Sequence, residues 1–170
     1  GSGAILMDVE NGKILSLVSL PDYDLNQRVS ISDIYMNKIT LGVYELGSVF
    51  KTFTIAAGLE NKVINSNTVF KNLENSLNCD KYTITEHTKL PKDLSIEQIL
   101  VRSSNIGAVR IAQKVGIEKY KNFLKTLGIL DKINFDLEEI GTPLPFVWGK
   151  CKLATSSYGH GITTTPLQLA

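Results

Sequence analysis

Two short apolar runs near the start of the chain, residues 4–7 and residues 13–18, are joined by Asp8-Val9-Glu10-Asn11-Gly12. Asn-Gly supplies the positive φ angles of a tight turn, so the stretch reads as a β-hairpin. Both strands are apolar at nearly every position, which predicts a ribbon covered on both faces rather than a surface ribbon. The rest of the chain is mostly helical in pattern, so the expected fold class is α/β of the α+β kind: an N-terminal hairpin and a largely helical body. One hundred and seventy residues suffice for one hydrophobic core, and a domain spanning residues 3–170 is expected.

Residues 20–34 are polar and irregular and read as a connecting loop. From Ser48 the period becomes helical: Phe50, Phe53, Thr54, Ala57 and Gly58 recur at three- and four-residue spacing. Residues 61–90 hold no sustained period and are expected to wrap the surface. Ser95, with Glu97 and Gln98 behind it, predicts a capped helix through Ile96, Ile99 and Leu100. Further helices are expected over residues 106–115, stopped by Gly116, and over residues 118–127, stopped by Gly128. Residues 131–152, broken by Gly141, Pro143, Pro145 and Gly149, read as loop. Thr165 before Pro166 reads as an N-cap followed by proline at the first helical position.

Eighteen basic against seventeen acidic side chains leave a formal charge of +1, so no basic face for nucleic acid is expected. No apolar run approaches the roughly 20 residues of a membrane-spanning helix. Cys79 and Cys151 are too few for a disulfide framework and lack zinc-ligand spacing, so two semi-buried thiols are expected, with no metal site. Gly1-Ser2 reads as a cloning scar. A strand that starts without lead-in and a helix opening at Thr165 suggest an excerpt of a larger protein, from which any membrane anchor would be missing.

The stretch that carries chemistry is Glu45-Leu46-Gly47-Ser48-Val49-Phe50-Lys51. A serine hydroxyl is a weak nucleophile and needs a base within hydrogen-bond reach. Three residues along a helix place Ser48 and Lys51 one turn apart on one face, and desolvation there would ease proton loss from the ammonium. The Ser48 N–H would also sit at the positive end of the helix. Taken alone, the spacing equally suits a helix N-cap and a solvated lysine. The second piece is Ser103-Ser104-Asn105, between two helices. It suits a polar junction, or a hydroxyl and an amide turned into one cleft, the first to relay a proton and the second to hold a substrate amide. S-x-x-K followed by S-x-N some 55 residues later is the pairing used by penicillin-recognising enzymes.

On these residues the chain resembles the transpeptidase domains of class B penicillin-binding proteins. Gly3-Ala4-Ile5-Leu6-Met7-Asp8 with Asn11-Gly12-Lys13-Ile14-Leu15 is similar to the family's opening hairpin, and Pro21-Asp22-Tyr23-Asp24-Leu25-Asn26 to the segment after it. Tyr44 to Lys51 is similar to the nucleophile motif and Ser103-Ser104-Asn105-Ile106-Gly107 to the second motif. Ser157-Tyr158-Gly159-His160-Gly161 and Thr165-Pro166-Leu167-Gln168-Leu169-Ala170 are also typical. Ser-Tyr-Gly favours the division-specific branch over the elongation branch.

The resemblance implies the fold shared by penicillin-binding proteins and serine β-lactamases, and D,D-transpeptidation of peptidoglycan. Ser48 would be acylated, Lys51 would activate it, Ser103 would pass a proton to the leaving D-alanine, and Asn105 would bind the donor peptide amide. It implies no cofactor. The partners implied are the D-Ala-D-Ala stem peptide, an acceptor strand, β-lactams and membrane proteins of the division complex, at the periplasmic face of the bacterial inner membrane. The family's third motif, Lys-Thr/Ser-Gly on a sheet strand, does not occur in these residues. The sheet is therefore expected to lack its C-terminal strands, the fragment alone to be inactive, and the bare hairpin edge to pack on the helices or pair with another copy. Rival readings are a serine β-lactamase or β-lactam sensor, for which no deacylating base is recognisable, and a non-catalytic scaffold. His87 and His160 read as structural, Asp8, Asp22 and Asp24 as turn residues, Trp148 as isolated, and Glu45 as an anchor.

Overall fold

The computed structural model describes residues 1–24, 26–27 and 33–170. The expected loop over residues 20–34 thus lies partly outside the described residues, as does Leu25 of the family-like segment. In chain order come β1 (Ser2–Met7), β2 (Ile14–Leu20), β3 (Tyr44–Glu45) and α1 (Lys51–Glu60), with a 3-10 turn at Gly47–Phe50 leading into α1. Next are β4 (Val69–Phe70), β5 (Ser76–Cys79), β6 (Tyr82–Thr85), β7 (Leu94–Ser95) and α2 (Ile96–Val101). Then come α3 (Asn105–Val115), α4 (Ile117–Thr126), α5 (Lys150–Ser156), β8 (Thr163–Thr164) and α6 (Pro166–Leu169). The chain divides into two compact units.

The first unit comprises Gly1–Tyr44, Gly128–Leu144 and Thr163–Ala170. Strands β1 and β2 pair antiparallel from Ser2 opposite Leu20 to Leu6 opposite Ser16, then shift register before Met7 meets Ile14. Gly12, at φ +73°, closes the turn as the Asn-Gly signal requires. The Asp8 carboxylate accepts from the Glu10 N–H and the Asn11 amide, and Asp22 and Asp24 accept from the N–H groups of Tyr23 and Asn26, so all three serve turns. The ribbon is covered on one face only. Ile5, Ile14 and Leu17 pack on a core of Ile39, Ile140 and Leu167, whereas Leu6 and Leu15 are 59% and 63% exposed. Within the described residues no further strand joins this pair, which is why the all-apolar pattern overstated its cover. Thr165 caps α6 as expected, in a reciprocal box with Gln168, whose amide also donates to the carbonyls of Gly128 and Asp131.

The second unit comprises Glu45–Leu127 and Pro145–Ile162 and holds the larger core. Ile55 of α1, Ile99 of α2, and Ile106, Val109 and Ile111 of α3 meet Ile84 of β6, Leu94 of β7 and Ala154 of α5. Helix α2 carries the expected capping box between Ser95 and Gln98. Helix α3 ends at Gly116 and α4 runs within one residue of the expected span. Two expectations are corrected. Residues 61–90 are not merely a surface wrap, because β5 and β6 form a hairpin and β4 pairs with β7. Residues 131–152 are loop only up to Gly149, after which α5 begins. The cysteines are corrected too: Cys79 at the end of β5 and Cys151 in α5, 72 positions apart, are joined in a disulfide rather than left as thiols.

A buried polar chain fastens the helices. The Tyr120 hydroxyl of α4 donates to Thr54 Oγ1 of α1 at 2.7 Å, and Thr54 donates to the Ser157 carbonyl at 2.7 Å. All three residues are buried, and burial drives the Tyr120 phenol far above its usual range, so it stays a neutral donor. This chain fixes the segment from Ser157 to Gly161 against the start of α1.

Candidate active site

Ser48 lies in the 3-10 turn that runs into α1, with its side chain exposed. It does not cap the helix; the N-cap of α1 is Phe50, which makes no side-chain cap. Two glycines set the turn. The Gly47 N–H donates to the Gly159 carbonyl at 3.2 Å. Gly159, at φ +79°, comes so close that an added Cβ would collide with the Gly47 carbonyl oxygen. The Ser-Tyr-Gly stretch thus has a structural reason: only glycine fits there.

Lys51, the first residue of α1, is 1% exposed. Its ammonium donates to Ser48 Oγ at 3.1 Å, to the Ser103 carbonyl at 2.6 Å and to Ser103 Oγ at 2.8 Å. Three N–H donors thereby meet three acceptors. Burial lowers its pKa from 10.5 to about 8, against the opposing pull of the Glu86 carboxylate. At neutral pH that raises the neutral-amine fraction roughly 300-fold over an unperturbed lysine. A neutral amine here would keep two N–H groups, enough for the two Ser103 acceptors, with its lone pair within reach of the Ser48 hydroxyl.

Ser103 occupies the turn between α2 and α3 at φ +54°, a left-handed conformation unusual for a residue with a side chain. Ser104 caps α3, its hydroxyl oxygen accepting from the Gly107 N–H at 2.9 Å. Asn105 opens α3, and its side-chain amide donates to the Thr85 carbonyl at 2.8 Å. Its Oδ1 is buried and has no hydrogen-bond partner among the described residues. The fold thus brings together Ser48, Lys51 and Ser103 in direct contact and sets Asn105 two residues beyond.

Sequence reasoning missed Glu86. It comes directly after β6 and receives Ser104 Oγ at 2.6 Å, the Asn105 N–H at 2.7 Å and the Ile106 N–H at 3.1 Å. No local spacing ties it to α3, because the β5–β6 hairpin that delivers it carries a weak strand signal. Glu45 pairs with His160 at 3.1 Å, at the surface. His87 contributes to none of these contacts. Among the described residues no group of His, Cys, Asp or Glu side chains is placed to hold a metal ion, and no helix is long and apolar enough to cross a membrane.

The family pattern described as the penicillin binding protein transpeptidase domain matches residues 2–170. The chain belongs to that family. A probable peptidoglycan D,D-transpeptidase FtsI of Caulobacter vibrioides is 33% identical over 100% of this chain and 29% of its own length. The peptidoglycan D,D-transpeptidase FtsI of Escherichia coli K12 is 28% identical over 98% of this chain and 29% of its own length. The chain therefore spans under a third of these relatives. Among solved structures, one titled a peptidoglycan glycosyltransferase from Burkholderia ambifaria superposes with a TM-score of 0.84 at 27% identity, over 99% of this chain and 50% of that one. The apo transpeptidase domain of Burkholderia pseudomallei penicillin-binding protein 3 gives 0.83 at 26% identity, over 98% and 47%. The mixed helix-and-strand fold is that of penicillin-binding-protein transpeptidase domains, covered in part.

Proposed function

We propose that this chain is the acylating part of a serine-type peptidoglycan D,D-transpeptidase, within a transpeptidase domain that takes in residues 3–170. The observation that carries the reading is the buried Lys51 amine held between the hydroxyls of Ser48 and Ser103, at 3.1 and 2.8 Å. In its neutral form Lys51 takes the Ser48 proton as Ser48 Oγ attacks the carbonyl carbon of the penultimate D-alanine. The Ser103 hydroxyl then gives its proton to the departing D-alanine nitrogen and is refilled from Lys51, so the C–N bond breaks and an acyl-serine remains. An acceptor amine attacks that ester, forms the cross-link and frees Ser48. In a β-lactam the ring amide takes the place of the D-Ala–D-Ala bond, and its leaving nitrogen stays tethered. Asn105, with Oδ1 unpartnered, is suited to accept from a donor-peptide N–H.

The relatives' names and the Ser157-Tyr158-Gly159 stretch support the division-specific branch, with membrane proteins of the division complex as partners. The Cys79–Cys151 disulfide supports an oxidising compartment, here the periplasmic face of the inner membrane. By itself the chain has no Lys-Thr/Ser-Gly motif to anchor a substrate carboxylate, so alone it is expected to be inactive. Its exposed hairpin edge is suited to pairing with a second copy, and a strictly monomeric chain by light scattering would remove that part of the reading. The central test is covalent labelling of the full-length protein by a fluorescent penicillin. Ser48→Ala should abolish it with the fold unchanged, and persistent labelling would place the nucleophile elsewhere.

A further inference from the structure

We propose that Glu86 is a positioning residue of this site: its carboxylate clamps the start of α3 and thereby holds Ser103 against Lys51. The inference rests on the transpeptidase reading above and extends it to a residue outside both motifs.

Four observations carry it. First, the carboxylate collects three donors in a row, from Ser104 Oγ, the Asn105 N–H and the Ile106 N–H, at 2.6, 2.7 and 3.1 Å. Two of these are backbone groups at a helix N-terminus, where a negative charge is favoured and such bonds are strong. Second, the residue before it accepts from the Asn105 side chain, so Thr85 and Glu86 together set both the backbone and the amide of Asn105. Third, Ser103 sits one residue upstream of this clamp in a left-handed conformation that a serine adopts only when its surroundings impose it. Ser103 provides two of the three acceptors of the Lys51 ammonium, so any relaxation of that turn strips Lys51 of both. Fourth, Glu86 is itself anchored: Ile84 of β6 is buried in the core, and the paired strand β5 is tied to α5 through Cys79 and Cys151.

The same charge reaches Lys51 electrostatically and favours its protonated form, opposing burial. Other charged groups on the elements around α1 are engaged elsewhere or act on other residues. Arg110 of α3 pairs with Glu74, and Lys114 of α3 stands over the Phe70 ring. Glu60 of α1, Glu97 of α2, and Glu118, Lys119 and Lys125 of α4 are exposed and Lys121 of α4 is half-buried, so solvent screens these charges. Lys150 and Lys152 of α5 and Arg102 beside Ser103 are exposed as well. Glu86 is thus a clamp on the proton relay and a brake on the base.

The experiment measures the second-order acylation rate by a fluorescent β-lactam against pH in the full-length protein, for the parent, Glu86→Gln and Glu86→Asp. Thermal melts and far-UV circular dichroism report folding. Glu86→Gln should lower the high-pH plateau roughly 10- to 100-fold, the scale of a small misplacement of catalytic groups. It should also move the acid limb to lower pH, because the charge that held the Lys51 proton is gone. Glu86→Asp should keep the limb near its parental position and recover part of the plateau. A merely structural cap would lower the rate equally at all pH values, with no rescue by Asp; that result, or a parental profile for Glu86→Gln, overturns the proposal. NMR titration of Lys51 in isotopically labelled protein gives a readout independent of acylation. If labelling persists in Ser48→Ala while Glu86→Gln shifts the Lys51 titration downward, the nucleophile assignment falls and the role of Glu86 stands. If Lys51 titrates identically in the two proteins, the proposal falls whatever the labelling shows.

Discussion

Replacing Lys51 with methionine should change how stability responds to pH, and the size of the change comes from the site itself. The Lys51 ammonium is buried, with its pKa lowered from 10.5 to about 8. In the unfolded chain it returns to its ordinary range, so between about pH 8 and that range the unfolded state binds more protons, and stability rises with pH there. The penalty is complete below about pH 8, where both states are protonated but only the folded one has desolvated the charge. It fades as pH rises, since deprotonating the buried amine frees the folded state before the unfolded one. Treated as a single linked group, Lys51 costs about 3 kcal/mol at pH 7 and about 1 kcal/mol at pH 9.5, a difference of about 2 kcal/mol. A methionine side chain fills similar space without a charge, so this dependence disappears in Lys51→Met. Equilibrium urea unfolding of both proteins from pH 7 to 9.5, followed by circular dichroism, should show the parent gaining about 2 kcal/mol on the variant. Other lysines and tyrosines titrate in both proteins and cancel in the comparison. A gap constant to within about 0.5 kcal/mol would refute the reasoning, for it would mean burial does not disfavour the Lys51 charge.

The Cys79–Cys151 bridge closes a loop of 72 positions, and loop-closure entropy values such a cross-link at about 4 kcal/mol. A Cys79→Ser, Cys151→Ser double variant should lose stability on that scale in urea, and an unchanged midpoint would show that the bridge constrains nothing. Gly159→Ala puts a Cβ into the Gly47 carbonyl at a positive φ, which should cost about 1–3 kcal/mol and displace the Ser48 turn. Labelling of Ser48 by penicillin should then fall by more than roughly 10-fold, and parental labelling would show the turn tolerates the side chain.

How much of the fold was legible in the sequence depends on how local each signal is. Asn11-Gly12, the Ser95–Gln98 box and the Thr165–Gln168 box are each complete within a few residues, and each marks its element in the fold. Helix α5 escaped notice because its N-cap, Gly149, makes no side-chain cap and its opening residues are Lys-Cys-Lys. Hairpin β5–β6 escaped because its strands are short and largely polar, with only Ile84 fully buried, and its turn runs through Asp80 at φ +51°. The disulfide went with them, since its two cysteines sit on those overlooked elements. At the site, the pairing of Ser48 with Lys51 is a matter of helical spacing. The meeting of Lys51 with Ser103, 52 residues apart, is a product of α1 packing on α3, and only the likeness to a family pointed to it.

The proposed chemistry rests on opposed effects at one nitrogen. Burial in the wall between α1 and α3 by itself pushes Lys51 toward the neutral amine and makes it a weaker proton acceptor. A strong negative neighbour would by itself keep it an ammonium, with no lone pair for Ser48. Glu86 stands off from Lys51, spending its direct bonds on Ser104, Asn105 and Ile106, and so moderates the charge without forming an ion pair. The balance falls near pH 8, where an amine is free often enough to accept a proton and basic enough to hold it. A residue that both shapes the relay turn and sets this balance ties geometry to basicity. Drift in the β5–β6 hairpin would therefore be felt at Ser48, through Ser103 and Lys51, without any change in either motif.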